Sequence, residues 1–247
     1  MKFTQKELDK VQFSRKDEIK GIKIPTKLTK ELAEDIGIHV GDGSLYKYNS
    51  GNLHYGFLYS GNVLEKEYIE YIIKLKKKLY NLSKIRKYKY GNELRFIFHS
   101  LALATFYSNV IGLPIGKKRF IDVPNVIKEN TDEKIITSFL RGLIDTDFGL
   151  ILRNKYGKIY PSLEGTSISR DLIISVSELF SRLEIPFNLS LDIRRFDKRT
   201  KKYYVINKII IQGYKRINKV IRKIGFSNTK YKKRMMGLGR FEFGGTL

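Results

Sequence analysis

The chain has 247 residues, 42% of them hydrophobic with 15 Phe and 16 Tyr, enough apolar material for a packed core, which excludes a disordered basic tail. It has no Cys, which excludes a disulfide framework, a cysteine nucleophile and thiolate zinc sites. Lys and Arg number 48 against 25 Asp and Glu, a net charge of +23 spread along the chain, and a polyanion relieves such self-repulsion, nucleic acid ahead of an anionic membrane surface.

Residues 1–28 read as an N-terminal extension. Residues 1–20 have no continuous apolar stretch, so no signal peptide is expected, and no run in the chain is long enough to span a bilayer. This fits a cytoplasmic or organellar-matrix protein. The first structured region is 29–116. It opens with "LAEDIGIHVGDGSL" (residues 32–45), an apolar helix that ends in a small residue, Asp and a turn. Short strands are expected at 44–48 and 53–59, then a helix over 60–75 capped near Asn62. Strand-like sequence fills 84–100, with a hairpin turn at Gly91 and Asn92. A helix and the basic segment "IGLPIGKKR" (111–119) close this half. Residues 117–131 read as a linker, in which Asn130 and Glu133 fit a capping box for the next helix.

Residues 132–235 repeat the pattern. "TSFLRGLIDTDFGL" (137–150) aligns with the first helix so that Asp147 lies 105 positions after Asp42. The same shift puts Ala33 on Ser138, Gly37 on Gly142 and Gly41 on Thr146. Small residues four apart form one ridge of a helix and let two backbones approach closely. The two helices are therefore expected to pack side by side about a pseudo-twofold axis, with their terminal Asp residues close together. Strands at 149–154 and 158–163 follow, joined near Gly157. Next come a helix over 164–180 with Thr166 near its start, strands within 189–213 turning at 197–200, and the basic "IGFSNTKYKKR" (224–234). Residues 236–247 read as a tail. Each half thus has the order helix, two strands, helix, two strands, helix.

The windows "DIGIHVGDG" (35–43) and "LRGLIDTDF" (140–148) resemble the LAGLIDADG family, and the resemblance covers about residues 29–235. It implies an α+β fold of two pseudo-symmetric αββαββα repeats, with antiparallel sheets forming a DNA-binding saddle and the motif helices packed at the centre. It also implies a monomeric homing endonuclease that hydrolyses phosphodiester bonds of double-stranded DNA. Asp42 and Asp147 would hold divalent metal, each serving one strand, with Gly41 and Thr146 beside them. The expected ion is Mg2+, with Mn2+ as a substitute, since a hard cation held by carboxylates activates water and stabilises the leaving oxygen. Lys117, Lys118, Lys230 and Lys232 stand where the family places an active-site lysine, which would stabilise developing phosphate charge. Two features depart from the family pattern. Phe148 replaces a Gly, and either crowds the metal or packs in the interior. Ser60 and Glu164 stand where the family carries Gln or Lys at a strand end. Asp145 is expected to satisfy backbone groups, Asp35 to be a solvated partner of the helix dipole, and His39 to be a partly buried packing residue. His54 and His99 lie on strands and form no cluster with it.

The strands are the expected reading surface. In "ELRFIFHS", Leu94, Phe96 and Phe98 point under the helices, whereas Glu93, Arg95 and His99 point outward. By the same alternation Lys47, Arg86, Arg153, Lys155, Arg194 and Lys202 are candidate contacts to DNA, because a β-ribbon can enter the major groove. Two other functions share the fold and the charge: an RNA splicing maturase and a non-catalytic DNA-binding regulator. Phe148 and the missing Gln or Lys are the reasons to weigh them. An embedded intein endonuclease is not expected, since no splicing nucleophile opens the chain and no His-Asn closes it.

Overall fold

The computed structural model describes residues 1–236 and 238–241, so most of the 236–247 tail lies outside the described residues. In chain order the elements are α1 (Gln5–Leu8), α2 (Arg15–Ile19), α3 (Lys30–Gly41), β1 (Gly43–Ser50), β2 (Asn52–Asn62), α4 (Lys66–Tyr80), β3 (Arg86–Tyr90), β4 (Glu93–His99) and α5 (Leu101–Thr105). They continue with α6 (Asn125–Lys128), α7 (Glu133–Asp147), β5 (Phe148–Lys155), β6 (Lys158–Ser167), α8 (Arg170–Arg182), β7 (Asn188–Asp197), β8 (Lys202–Gln212), α9 (Tyr214–Lys223) and α10 (Thr229–Met236). A 3₁₀ turn precedes α4, and a π-helical turn over Phe106–Val110 extends α5. Both expected αββαββα repeats are present, and both sheets are antiparallel with the same order, β1-β2-β4-β3 and β5-β6-β8-β7.

The chain divides into two compact units. One comprises Met1–Lys118 with Pro124–Leu143, the other Arg119–Val123 with the chain from Ile144 onward. In the first unit the inward face of the sheet carries Leu45, Phe57, Tyr59, Phe96 and Phe98, all nearly or fully buried. Phe57 stacks on Phe98 with ring centres 4.7 Å apart, and Tyr59 on Phe96 at 4.9 Å. Removing such side chains from water contributes about 1.5–3 kcal/mol each. The apolar faces of α3 (Leu32, Ile36) and α4 (Ile69, Ile72, Ile73) complete this core. In the second unit the inward residues are Phe148, Leu150, Leu163, Ile209 and Ile211, packed under α8 and α9.

The N-terminal extension docks on the first repeat. Phe3 buries its ring edge-on against Phe106 at 5.7 Å, and the Gln12 N–H donates to the Thr105 hydroxyl at 2.9 Å. The Asp17 carboxylate accepts from the N–H groups of Leu101 and Ala102, capping α5. At the other end of the unit, the Asp132 carboxylate accepts from the Lys134 N–H and starts α7.

Three helix starts differ from the sequence expectation. Asn130 is not the cap of α7: Glu133 is already its first residue, and Asn130 accepts from the Asp132 N–H at 2.9 Å instead. β2 runs on to Asn62 and β6 to Ser167, so both following helices begin later than expected. Asn62 still caps, accepting from the Leu64 N–H of the 3₁₀ turn at 2.9 Å. Thr166 does not cap α8. It pairs with Lys208 across the sheet, and Ser169 caps instead, accepting from the Leu172 N–H. Among the described residues no helix is long and apolar enough to cross a membrane.

Candidate nuclease site

The small-residue ridges do what their spacing implies. A Cβ on Gly37 would collide with the carbonyl oxygen of Phe139 and lie 3.0 Å from the nitrogen of Leu143. A Cβ on Gly142 would collide with the carbonyl oxygen of Glu34 and lie 2.8 Å from the nitrogen of Ile38. Shifting Glu34, Gly37 and Ile38 by 105 positions gives Phe139, Gly142 and Leu143, so each glycine meets the partner of the other. The contact between α3 and the first part of α7 is reciprocal, as a local twofold requires. Ala33 and Ser138 are buried on the same ridges, and the Ser138 hydroxyl returns to the Lys134 carbonyl at 2.7 Å. Gly41 and Thr146, nearest the Asp ends, are half-buried. Glu34 ties the pair further, accepting from the Tyr71 hydroxyl at 2.7 Å and lying 3.5 Å from Arg141.

Asp42 is the C-cap residue of α3 and is exposed, with its N–H on the Ile38 carbonyl at 3.0 Å. The preceding carbonyls of a helix C-terminus are oriented oxygen acceptors with partial negative charge. Those of His39, Val40 and Gly41 all accept from the half-buried Lys118 ammonium, at 3.3 and 2.8 Å for the first two. The Lys118 ammonium therefore sits on this ring of carbonyl oxygens, beside an exposed carboxylate. Carbonyl and carboxylate oxygens are hard donors of the kind a divalent ion takes. Lys117, the neighbouring candidate, is exposed.

In the second repeat Asp147 closes α7 and is likewise exposed. Asp145 is buried, and its carboxylate accepts from the N–H groups of Ser227 and Asn228 at 2.7 and 3.0 Å, just before α10. It serves backbone groups, as its place in the motif suggested. Here the helix-end carbonyls take neutral donors: the Asn228 side-chain amide on Asp145 at 3.2 Å and the Tyr231 hydroxyl on Ile144 at 2.7 Å. Lys230 is half-buried with its ammonium 5.1 Å from the Tyr231 ring, and Lys232 is exposed.

Phe148 does not crowd the Asp147 end. It is the first residue of β5, 5% exposed, and packs inward on Gly165 and edge-on to Phe180. The strand-end comparison also changes. By sheet register the counterpart of Ser60 is Thr166, whereas Glu164 corresponds to Leu58, because Gly43 pairs with Tyr59 and Phe148 with Gly165. Glu164 is buried and accepts from Arg153 and Ser162 at 2.8 Å each, with Lys208 3.7 Å away. Burial works to raise its pKa, but the hydrogen bonds from Ser162 and Arg153 outweigh it and hold the carboxyl below its usual range.

Asp35, His39 and Lys76 form a feature that composition and motif did not announce. Asp35 is wholly buried rather than solvated. One oxygen pairs with the buried Lys76 ammonium at 2.6 Å, and the other accepts from the hydroxyls of Tyr80, at 2.6 Å, and Tyr107. Lys76 also donates to the Tyr59 hydroxyl at 2.8 Å, and that hydroxyl shares a hydrogen bond of 2.6 Å with His39 Nδ1. His39 is thus fully buried and hydrogen-bonded, not merely packed. Burial, with the charges of Lys76 and Lys118, pushes its pKa well below the ordinary value and keeps the ring neutral. The readable signal was a lysine on an apolar stripe: Lys76 stands four residues after Ile72 and four before Tyr80, both buried.

The outward sheet faces, away from the helices, hold most of the other candidates. Arg86 and Arg95 pair with Ile97 and Ser60 on that face, and Arg153 and Lys155 lie on the corresponding face of the second sheet. Lys202 is there as well, in step with Lys208. Lys47 and Arg194 are not. Gly43 and Leu45 point inward, so Lys47 shares the helix-side face. A bulge between Ser190 and Ile193 reverses the alternation of β7 and puts Arg194 opposite Val205, its guanidinium 4.4 Å over the Tyr203 ring. Arg195 takes the outward position instead, opposite Tyr204.

No family model and no curated protein matches the chain. Solved structures do. The homing endonuclease I-DmoI in complex with DNA and manganese aligns with a TM-score of 0.57 at 21% identity, covering 81% of this chain and 99% of that one. The LAGLIDADG homing endonuclease I-GzeII in complex with its DNA target aligns at 0.53 and 10% identity, covering 85% and 91%. I-SmaMI, bound to uncleaved DNA target in the presence of calcium ions, aligns at 0.51 and 12% identity, covering 85% and 89%. The chain has the two-repeat fold of the LAGLIDADG homing endonucleases.

Proposed function

We propose that the chain is a site-specific homing endonuclease, acting as a monomer, that hydrolyses double-stranded DNA with a divalent metal ion, magnesium or manganese. One observation carries the reading: the two motif helices, locked at Gly37 and Gly142, each end in an exposed aspartate, Asp42 and Asp147, and the carbonyl oxygens before Asp42 converge on the Lys118 ammonium. The solved relatives bound to DNA with manganese or calcium support it.

In this account Asp42 and Asp147 hold the metal, one carboxylate from each repeat for each strand, with the backbone oxygens of Gly41 and Thr146 as further donors. When bound, the ion polarises the scissile phosphate and lowers the pKa of an attacking water. Lys118 neutralises the carbonyl dipoles at the end of α3 and keeps that end ordered. Lys117 and Lys230 supply ammonium groups for phosphate oxygens. Arg86, Arg95, Arg153, Lys155 and Lys202 lie along the backbone or base edges from the outward sheet faces. Phe148 is a buried core residue and so gives no ground for a maturase or a regulator. The test is selection from a randomised duplex library for ends cut with magnesium and absent with chelator. A defined recognition sequence supports the reading, and binding without cutting in either magnesium or manganese refutes it.

A further inference from the structure

The docked N-terminal extension builds a cavity that neither repeat makes alone. Between α2 and the sheet of the first unit lies a pocket of about 550 Å³. One wall carries Arg15, Lys16 and Lys20, and the other carries Tyr48, His54 and His99. The walls have different chemistry. The first is cationic. Its one acid, Asp17, is buried, with Oδ2 accepting from the hydroxyl and N–H of Ser14 and from the N–H groups of Leu101 and Ala102, so its charge is directed into the α5 cap. The second is aromatic. Tyr48 and His54 are stacked with centres 5.2 Å apart and planes 27° from parallel, and His99 meets Tyr48 edge-on at 5.9 Å.

We infer that this pocket binds an unpaired nucleotide, its base on the Tyr48–His54 platform and its phosphate on Arg15, Lys16 or Lys20. Aromatic rings beside phosphate-binding cations are the arrangement that takes single nucleotides, and stacking on such rings tolerates any base. The volume falls in the range of small-ligand sites and is far too small for a duplex. In a duplex each base face is covered by its neighbours, so only a bulged, extruded or single-stranded nucleotide reaches the platform. The site belongs to the first repeat alone. The register position of Tyr48 and His54 is held in the second repeat by Arg153 and Tyr160, and Arg153 is engaged by Glu164. The inference does not require cleavage and stands apart from the nuclease chemistry.

The experiment uses the full chain and duplexes that carry one 5-iodouracil nucleotide, either fully paired or as a single-nucleotide bulge, in DNA and in RNA. After photo-crosslinking, mass spectrometry maps the modified residue, and anisotropy measures affinity for the same duplexes. The bulged forms are expected to crosslink at Tyr48 or His54, and the paired forms are not. Tyr48→Leu should reduce the preference for bulged over paired duplex about tenfold, within the range for loss of one stacked base. Tyr48→Phe should retain it. Tyr48 is 40% exposed, so neither change threatens the core. Preference for the DNA or the RNA bulge identifies which nucleic acid supplies the nucleotide. Crosslinks elsewhere, equal affinity for bulged and paired forms, or a Tyr48→Leu protein with unchanged preference would overturn the inference.

Discussion

Phe148 and Gly165 face each other across the β5–β6 pair, and the Phe148 ring fills the space that a side chain on Gly165 would need, 2.5–2.8 Å from its Cβ. In the first sheet the matching pair is Gly43 and Tyr59, and there the space beside the glycine is taken by His39 of α3 rather than by the ring across the strands. The two repeats put the large residue of this pair on different strands. Phe148 is therefore a compensated packing choice. Phe148→Gly should destabilise by about 3–5 kcal/mol, as loss of a buried ring does, and should not raise activity. The double change Phe148→Gly with Gly165→Tyr moves the ring to the facing strand, as in the Gly43–Tyr59 pair, and should recover part of the loss in thermal unfolding. A Phe148→Gly protein of unchanged stability and higher activity would contradict this packing role.

The reciprocal glycine contact predicts that Gly37→Ala and Gly142→Ala each cost about 1–3 kcal/mol, the usual range for forcing a methyl into a packed site. The obstacle at both positions is backbone, which cannot swing aside as a side chain can. The two losses should not add, because the first substitution already separates the helices. Denaturant unfolding of the single and double variants measures this, and simple additivity would argue against one shared contact.

The Asp35–Lys76 pair predicts an asymmetry between breaking and replacing it. Lys76→Met alone leaves a buried carboxylate without its ammonium and should cost about 3–5 kcal/mol. Lys76→Met with Asp35→Leu should cost less than the sum of the single changes. Equal additive losses would mean that the pair does not act as a unit.

His39 gives a pH dependence. Its pKa in the folded chain lies well below 6.5, through burial first and then the charges of Lys76 and Lys118. Phe57, Tyr59 and Tyr107 also face the ring. The unfolded chain therefore binds the proton more readily. This contribution to stability is complete above about pH 6.5 and is lost as pH falls below it, at no more than about 1.4 kcal/mol per pH unit. His99, also shifted downward, adds a smaller slope of the same sign. Unfolding between pH 7.5 and 5 should show a steeper loss for the native chain than for His39→Gln. Parallel slopes would show that His39 keeps an ordinary pKa.

Binding to duplex DNA should weaken steeply with salt, with a slope of roughly −0.9 per phosphate neutralised. Arg95→Ala and Arg86→Ala should reduce specific affinity more than Lys47→Ala or Arg194→Ala, because register puts only the first pair on the outward face. Gel-shift titrations at several salt concentrations compare them. Equal losses would place DNA elsewhere.

The helix contact was legible in sequence because a ridge of small residues needs only local spacing, and two ridges 105 positions apart name each other. Arg194 was misplaced because a bulge adds one residue to a strand and reverses every later side chain without marking the sequence. Lys47 follows Leu45 at a two-residue step, so its face depended on knowing that Leu45 points inward. Thr166 looked like a cap because Thr caps helices well, but pairing with β8 kept it in the strand. The Asp35–Lys76 pair joins residues 41 positions apart, and only the fold reveals which lysine on an apolar stripe meets which acid.

On the proposed function, Asp42 and Asp147 each hold the metal that cuts one DNA strand. The direct measurement is supercoiled-plasmid cleavage by the native chain, Asp42→Asn and Asp147→Asn, in magnesium and in manganese, beside a gel shift on the same DNA. Asn keeps the shape but loses the charge that holds a hard cation. The native chain is expected to cut both strands, and either variant to give no linear product, at most nicked circles, with duplex affinity within a few-fold of native. Linear product from either variant at the native rate would contradict it.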